Sequence, residues 1–537
     1  MYRFRLFVLS LLVAAAGSLT SAVAQQKGGV LRVLHRDSPG SLSIHEETTN
    51  STLTPMMGVF NNLVMYDQSI PRNSQDTIRP DLATDWTWSP DGTELTFHLH
   101  QGVRWHDGKP FTAADVKCTW DRLIGVSTDK LRINPRAGWY KNLTEVQTTN
   151  AQEVVFKLKR PQPSFLAFLA SGYSPVYPCH VPAAQMRSQP IGTGPFRFVE
   201  FRRGEGIRLE RNPDYWKPGR PYLDGIEYTV VSNRATAVLS FVARKFDMTF
   251  PYEIPIPLVR DIRTQAPDAT CVIAPNNLSI NLLVNRGVAP FDKPGVNRAV
   301  ALALDRKAFI DIISEGKSDQ GGAMLPPPEG VWGMPPEMLR TLPGYGGDVT
   351  ANREEARRIM AGLGYGPDKP LKVKMATRNV PQHRDPAVIL IDQLKQIHIE
   401  SELELIESAN WPPRLTRRDF TLALNLTGSG GDDPDIMFYE NYVCGAGRNF
   451  SGYCNKEIDA LVDRQSAETN FARRRTLVQE IDRRLQQDDA RPIIYLQRSA
   501  TCMQPWVKGL TIMSNSMYTG WRLEDVWIDP AQAANRP

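Results

Sequence analysis

Residues 79–116 read RPDLATDWTWSPDGTELTFHLHQGVRWHDGKPFTAADV. Trp86 and Trp88 precede the tetrad Ser89-Pro90-Asp91-Gly92, after which Leu95, Phe97 and Leu99 alternate with polar residues. A turn tetrad between two such runs reads as a hairpin with one buried face, because successive strand side chains point to opposite sides. Val154 to Leu158 is a second strand of this kind.

Outward from the hairpin the pattern is mixed. Gly29 to His35 reads as an opening strand, and residues 53–66 carry Leu53, Met56, Met57, Phe60, Leu63 and Val64 at helical spacing. Farther on, Val296 to Ile313 is amphipathic, and Glu354 to Leu363 is a helix ending near Gly362 and Gly364. Leu371 to Met375 and Ser401 to Ile406 read as strands with a helix, Ala387 to Ile397, between them; Lys456 to Asp489 is mostly helical. The fold class is therefore α/β, with no sustained internal repeat. No long Gly/Ser linker divides the chain, so its domains are expected to be joined by strands crossing a hinge.

With 537 residues the chain is long enough for two or more domains. Hydrophobic residues make up 41% and charged residues 23%, a balance that supports a large core and excludes bulk disorder and coiled coil. Lys and Arg (63) barely exceed Asp and Glu (58), and the basic residues are scattered. Nucleic-acid binding calls for a concentrated basic face, so it is not expected. The run Arg473-Arg474-Arg475 lies in a helix-like stretch and reads as a solvated face.

Arg3 and Arg5 precede an apolar run from Leu6 to Ala16, and small residues end at Ala22-Val23-Ala24. This is the pattern of a secretory signal peptide over residues 1–24, with the mature chain starting at Gln25. No Cys follows the cleavage site, so no lipid anchor is indicated, and export to the periplasm as a soluble protein is expected. An oxidising compartment permits disulfides. Among Cys118, Cys179, Cys271, Cys444, Cys454 and Cys502, the pair Cys444 and Cys454 is favoured by proximity across a Gly-containing loop; the others are left open.

The quoted stretch resembles the hallmark segment of extracellular solute-binding proteins of family 5, the dipeptide, oligopeptide and nickel receptors of ABC importers. Matches follow in the family's order: Pro190-Ile-Gly-Thr-Gly-Pro-Phe196, Arg211-Asn-Pro-Asp-Tyr-Trp216, Val296-Asn-Arg-Ala-Val-Ala-Leu-Ala-Leu-Asp305 and Gly452-Tyr-Cys-Asn-Lys-Glu-Ile-Asp459. The resemblance implies a two-lobe periplasmic-binding-protein fold that closes like a clamshell. Lobe I would comprise residues 25–276 and 495–537, with an extra subdomain at about 70–190, and lobe II residues 277–494.

Other chemistries find little support. His98, His100 and His106 form an H-x-H-x5-H pattern, but the hallmark places them in a structural hairpin, and no metal or cofactor is expected. There is no H-E-x-x-H, no phosphate-cradling G-x-x-x-x-G-K-[ST] and no G-x-S-x-G elbow, so neither an ATPase nor an enzyme is indicated.

The resemblance brings Thr427-Gly-Ser-Gly-Gly-Asp-Asp-Pro-Asp435 to the cleft. In dipeptide receptors an Asp three residues before the Asp-Pro-Asp pairs with the ligand's ammonium; here that position is Gly430, which leaves Asp432 or Glu47 to supply the charge. The remaining candidate ligand-binding residues follow by position: Thr48 and Thr49 before the first helix, Trp139 and Tyr140 as an aromatic wall, Arg378 and His383 after the Leu371–Met375 strand, Trp411 as a pocket wall, and Thr427 and Ser429. Aromatic faces suit apolar groups, sugars or cations, and an Arg can fork onto a carboxylate. The expected function is capture of a peptide-like solute and delivery to an ABC permease with its ATPase, by a monomer. The alternatives are an opine or oligosaccharide ligand, a secreted hydrolase, or a periplasmic chaperone.

Overall fold

The computed structural model describes residues 25–536; the leader expected over residues 1–24 lies outside them. The opening strand, Val30–His35, runs parallel to Gly225–Val230, and the sheet continues antiparallel through Gly206–Arg211 to Phe196–Arg202. The hallmark hairpin forms as its period predicts: Ala83–Trp88 pairs with Glu94–Leu99 around a turn in which Gly92 takes φ +68°. Glu153–Leu158 and Leu143–Asn150 extend it to four strands. Leu95 and Phe97 point to its buried face, where Phe97 meets Phe156 edge-on and Trp120 packs on Phe156 at 5.0 Å.

Trp120 is delivered by the helix Ala113–Leu123, whose start is set by a capping box. The Thr112 backbone N–H donates to Asp115 Oδ2 at 2.9 Å, and the Asp115 carboxylate also accepts from Cys179 N–H. The disulfide Cys118–Cys179 staples this helix to the chain that follows. All six cysteines are paired: Cys444 with Cys454 as expected, and Cys271 with Cys502.

A second sheet has the order Ile399–Ile406, Leu371–Arg378, Leu422–Gly428, Thr270–Val284, Ile493–Met503. The first three strands are parallel, and the inner two carry buried apolar residues such as Met375, Ala376, Leu422 and Leu424. The edge strand Ile399–Ile406 alternates with glutamates and buries only its two end isoleucines. Pro294–Ala303 and Pro381–Lys395 cover it with Val296, Val300, Leu390 and Leu394.

Two sequence expectations give way. The amphipathic stretch 296–313 is two helices, because Leu304 is extended and the Asp305 carboxylate caps a new start at Arg306–Ser314 by accepting from Ala308 N–H at 2.9 Å. A short polar cap thus overrides continuous periodicity. Residues 53–66 are likewise a short helix, Asn50–Met56, followed by the strand Val64–Tyr66.

The two longest strands join the halves of the molecule. Thr270–Pro275 pairs with Arg498–Met503, the register shifts between Pro275 and Ser279, and Leu278–Val284 then pairs with Leu422–Gly428. Asn277 sits in that shift at φ +53°. Before it, Cys271 and Cys502 pack with Leu34 and Phe241; after it, Ile280 and Leu282 pack with Val296 and Val300.

Candidate functional site

Between these halves lies a cavity of about 60 Å³, walled by both. From one side come Arg36, just past the opening strand, and Thr48, Thr49 and Asn50 at the start of the first helix, together with Met517 and Tyr518 from the far end of the chain. From the other come Arg378 at the end of its strand, His383 in the first turn of the helix Pro381–Lys395, and Trp411 opening the helix Trp411–Thr416. Asn425, Arg448 and Phe450 complete the floor.

Each of these is locally fixed. The Trp411 indole N–H donates to Asn425 Oδ1 at 3.3 Å and its ring meets His383 edge-on at 6.3 Å. Arg378 Nε donates to Ser408 Oγ at 2.8 Å, and its Nη2 donates to Asp37 and to Ser51 Oγ, so one guanidinium spans the two walls. Burial opposes ionisation of Asp37, yet the charges of Arg378 and Arg36 and the hydroxyl of Ser408 together hold its carboxyl well below the usual range. His383 is fully buried, and desolvation, reinforced by Arg378 and Arg36, holds its imidazole well below its ordinary value and therefore neutral.

Five of the sequence candidates thus meet at one cavity: Thr48, Thr49, Arg378, His383 and Trp411. The others lie elsewhere. Glu47 is buried beside Gly40 with Arg132 at 3.7 Å, and desolvation raises its pKa. Trp139 and Tyr140 sit in the core of the first half, Trp139 stacked on Phe168 and the Tyr140 hydroxyl 2.9 Å from Ser174 Oγ. Thr427 Oγ1 accepts from Arg491 at 3.0 Å, and Ser429 donates to the Gly431 carbonyl. Asp432 accepts from Asn515 at 3.0 Å and from Asn277 at 3.3 Å; burial pushes its carboxyl up to about 7. A Cβ on Gly430 would come within 2.9 Å of both Ser171 Oγ and Trp139, so the loop can pass there only with glycine or a shift of its neighbours.

Arg36, Asn50, Asn425, Arg448 and Tyr518 were not anticipated. Asn425 had a signal, a polar residue inside the apolar run Leu422 to Leu426. Arg448 and Tyr518 had none, since only the fold brings them near Thr48.

The run Arg473-Arg474-Arg475 is not a uniformly solvated face. Arg474 is buried and forks onto Asp433 at 2.8 and 2.9 Å, with Trp332 beneath its guanidinium; Arg473 and Arg475 are exposed. Of the three hallmark histidines, His98 pairs with Asp85 and Glu153, His100 packs on Trp216, and His106 bonds the Gly194 carbonyl. Among the described residues no cluster of three or more His, Cys, Asp or Glu groups is placed for a metal, and no helix is long and apolar enough to cross a membrane.

A two-lobe α/β body with a cavity between the lobes defines a binding protein of the periplasmic-receptor class. The family model for bacterial extracellular solute-binding proteins, family 5, middle region, matches residues 77–449, and the chain belongs to that family. It is 26% identical over 501 residues to di/tripeptide-binding protein 1 of Pseudomonas aeruginosa strain UCBPP-PA14, covering 88% of this chain and 89% of that one. Its fold matches the periplasmic binding protein DppA of Helicobacter pylori in complex with the peptide STSA, with a TM-score of 0.81 at 20% identity over 94% and 98% of the two chains. It also matches AgaA of A. tumefacien R10 in complex with agropinic acid, with a TM-score of 0.79 at 23% identity over 93% and 99%.

Proposed function

We propose that this chain is the solute receptor of an ABC importer, exported to the periplasm through a leader at residues 1–24, where it works as a monomer and without catalysis. It captures a peptide-like solute between its lobes and presents the closed form to the permease and its ATPase. The observation that carries this is the cavity walled by both halves, with Thr48, Thr49 and Tyr518 facing Arg378, His383 and Trp411. The relatives that bind di- and tripeptides support the solute class. We place the lobe boundary at the register shift after Pro275 and at Tyr495, so that lobe II is 277–494 and lobe I the remainder with its subdomain near 70–190.

The mechanism is a population shift: a solute touching both walls stabilises closure by its differential affinity for that state. At about 60 Å³ the cavity holds little beyond a few waters at roughly 10–15 Å³ each, so a solute enters only when the lobes part. A second reading, an opine in place of a peptide, is favoured by the cavity lining, which carries Arg36, Arg378 and Arg448 and no carboxylate.

The test is thermal stabilisation of refolded, ligand-stripped protein by dipeptides, longer peptides, opines and oligosaccharides. A solute at about 100 times its Kd adds roughly 2.7 kcal/mol. Stabilisation by any of these, lost in Arg378→Gln, supports the receptor. Turnover of the solute, or binding of unfolded chains with no small-molecule effect, rejects it.

A further inference from the structure

The charged groups that line the cavity are of one sign. Three arginines, Arg36, Arg378 and Arg448, contribute to it, and no Asp or Glu does. The carboxylates standing behind them are already committed: Asp37 to Arg378, with Arg36 at 3.8 Å, Glu253 to Arg36 at 3.5 Å, and Glu440 to Arg448 at 3.2 Å. Arg136 also reaches Glu440 at 3.9 Å, so four guanidiniums share three carboxylates.

The buried polar atoms left without a partner carry the same sign. On the residues that line the cavity they are Arg36 Nε, Asn50 Nδ2, Arg448 Nε and His383 Nδ1. The first three can only donate, and the imidazole nitrogen donates in one of its tautomers. A buried donor without an acceptor is costly, so three at one cavity, joined by the imidazole in one tautomer, are a standing demand for acceptor atoms. An ammonium brought here would meet three guanidiniums and no carboxylate in the lining, with only hydroxyl and amide oxygens to accept from it. Of the carboxylates suggested by sequence, Glu47 and Asp432 both lie outside the lining, and the Gly430 position is closed by Trp139 and Ser171.

We propose that the cleft selects a small organic acid with no ammonium group: an N-acylated amino acid or short peptide whose carboxylate is received by Arg448 and Arg36. This rests on the receptor reading and narrows its cargo. Asn50 and His383 would take the remaining acceptor, such as the acyl or amide oxygen. The same cleft discriminates against plain peptides, because their ammonium would be desolvated beside guanidiniums with no counter-charge in the lining.

The experiment uses isothermal titration of the refolded mature chain with three matched probes: N-acetyl-Ala-Ala, free Ala-Ala, and Ala-Ala amide. The expected order is acetylated acid tightest by at least about ten-fold, free dipeptide weaker, amide not bound, because each charge-assisted hydrogen bond is worth about 1.5–3 kcal/mol. Arg448→Gln, and separately Arg36→Gln should the first not fold, are expected to weaken the acetylated acid about ten-fold or more while moving the weak free dipeptide less. Free dipeptide binding as tightly as its acetylated form overturns the inference and leaves a peptide receptor standing. Failure of all three probes to bind at millimolar concentration overturns both this inference and the peptide-like reading of the cargo.

Discussion

Two buried ionic clusters bridge the halves of this molecule, and they differ in one respect. Around Asp435 the protein completes itself: the carboxylate accepts from Gln162, Ser164, Gln465 and Ser466, Arg474 forks onto the neighbouring Asp433, and none of these groups is left without a partner. Around Asp37 the protein stops short, leaving donors on Arg36, Asn50, His383 and Arg448 unanswered. The first arrangement is complete in itself, and the second is the one we propose as a recognition surface. Burial and charge alone do not separate them; what sets the second apart is that its unpaired donors lie on residues lining a cavity between the halves.

The largest expected effect tests the completed cluster. Arg474→Met leaves Asp433 and Asp435 buried without their cation and is expected to cost about 3–5 kcal/mol in denaturant unfolding, with ligand affinity at the cavity little changed in whatever folds. Arg448→Gln should cost less, about 1–3 kcal/mol, because Arg136 remains 3.9 Å from Glu440 to share its charge. Equal losses at the two positions would erase the distinction drawn between the clusters.

A finer probe lies beside the first cluster. Burial raises the Asp432 carboxyl from near 3.8 to about 7, so the folded state keeps a proton that the unfolded chain gives up. That contribution is fully present below pH 3.8 and is lost as pH rises to about 7. In Asp432→Asn the loss disappears, and Asn277, whose Oδ1 has no partner, can turn to accept from the new amide. The variant should therefore gain melting temperature on the parent between pH 4 and 7; parallel profiles would contradict the shift. The smallest effect belongs to Arg473→Ala, one residue from Arg474 yet exposed, which should leave the melting temperature unchanged.

Much of the fold was legible because it rests on local pattern. The alternation of Leu95, Phe97 and Leu99 and the Ser89–Gly92 turn gave the hairpin without tertiary information, and the order of motifs from Arg79 to Asp459 gave the family. Local caps were harder: Asp305 divides a helix that periodicity alone would join. At the cavity, Arg378, His383 and Trp411 could be placed by their resemblance to family positions, once the motifs had set the register. Arg448 and Tyr518 could not, since nothing adjacent to them in sequence signals what they approach. The Asp433-Pro434-Asp435 motif served as a landmark for the cleft stretch, and the structure turns those acids inward onto Arg474.

The crossing of the two long strands also bears on how the chain is made. The core around Leu31 and Phe97 includes Trp506 and Trp521; Asp81 in the same half is neutralised by Arg522; and Cys271 finds its sulfur partner at Cys502. The opposite core needs nothing beyond Tyr495. A chain emerging from its amino end therefore presents its opening half first and finishes it last. Until the final segment arrives, that half lacks both indoles and the Arg522 guanidinium, and Lys217 alone stands beside Asp81. The carboxyl end acts as the closing stitch, and loss of a few dozen terminal residues should unfold the half of the molecule that was synthesised earliest.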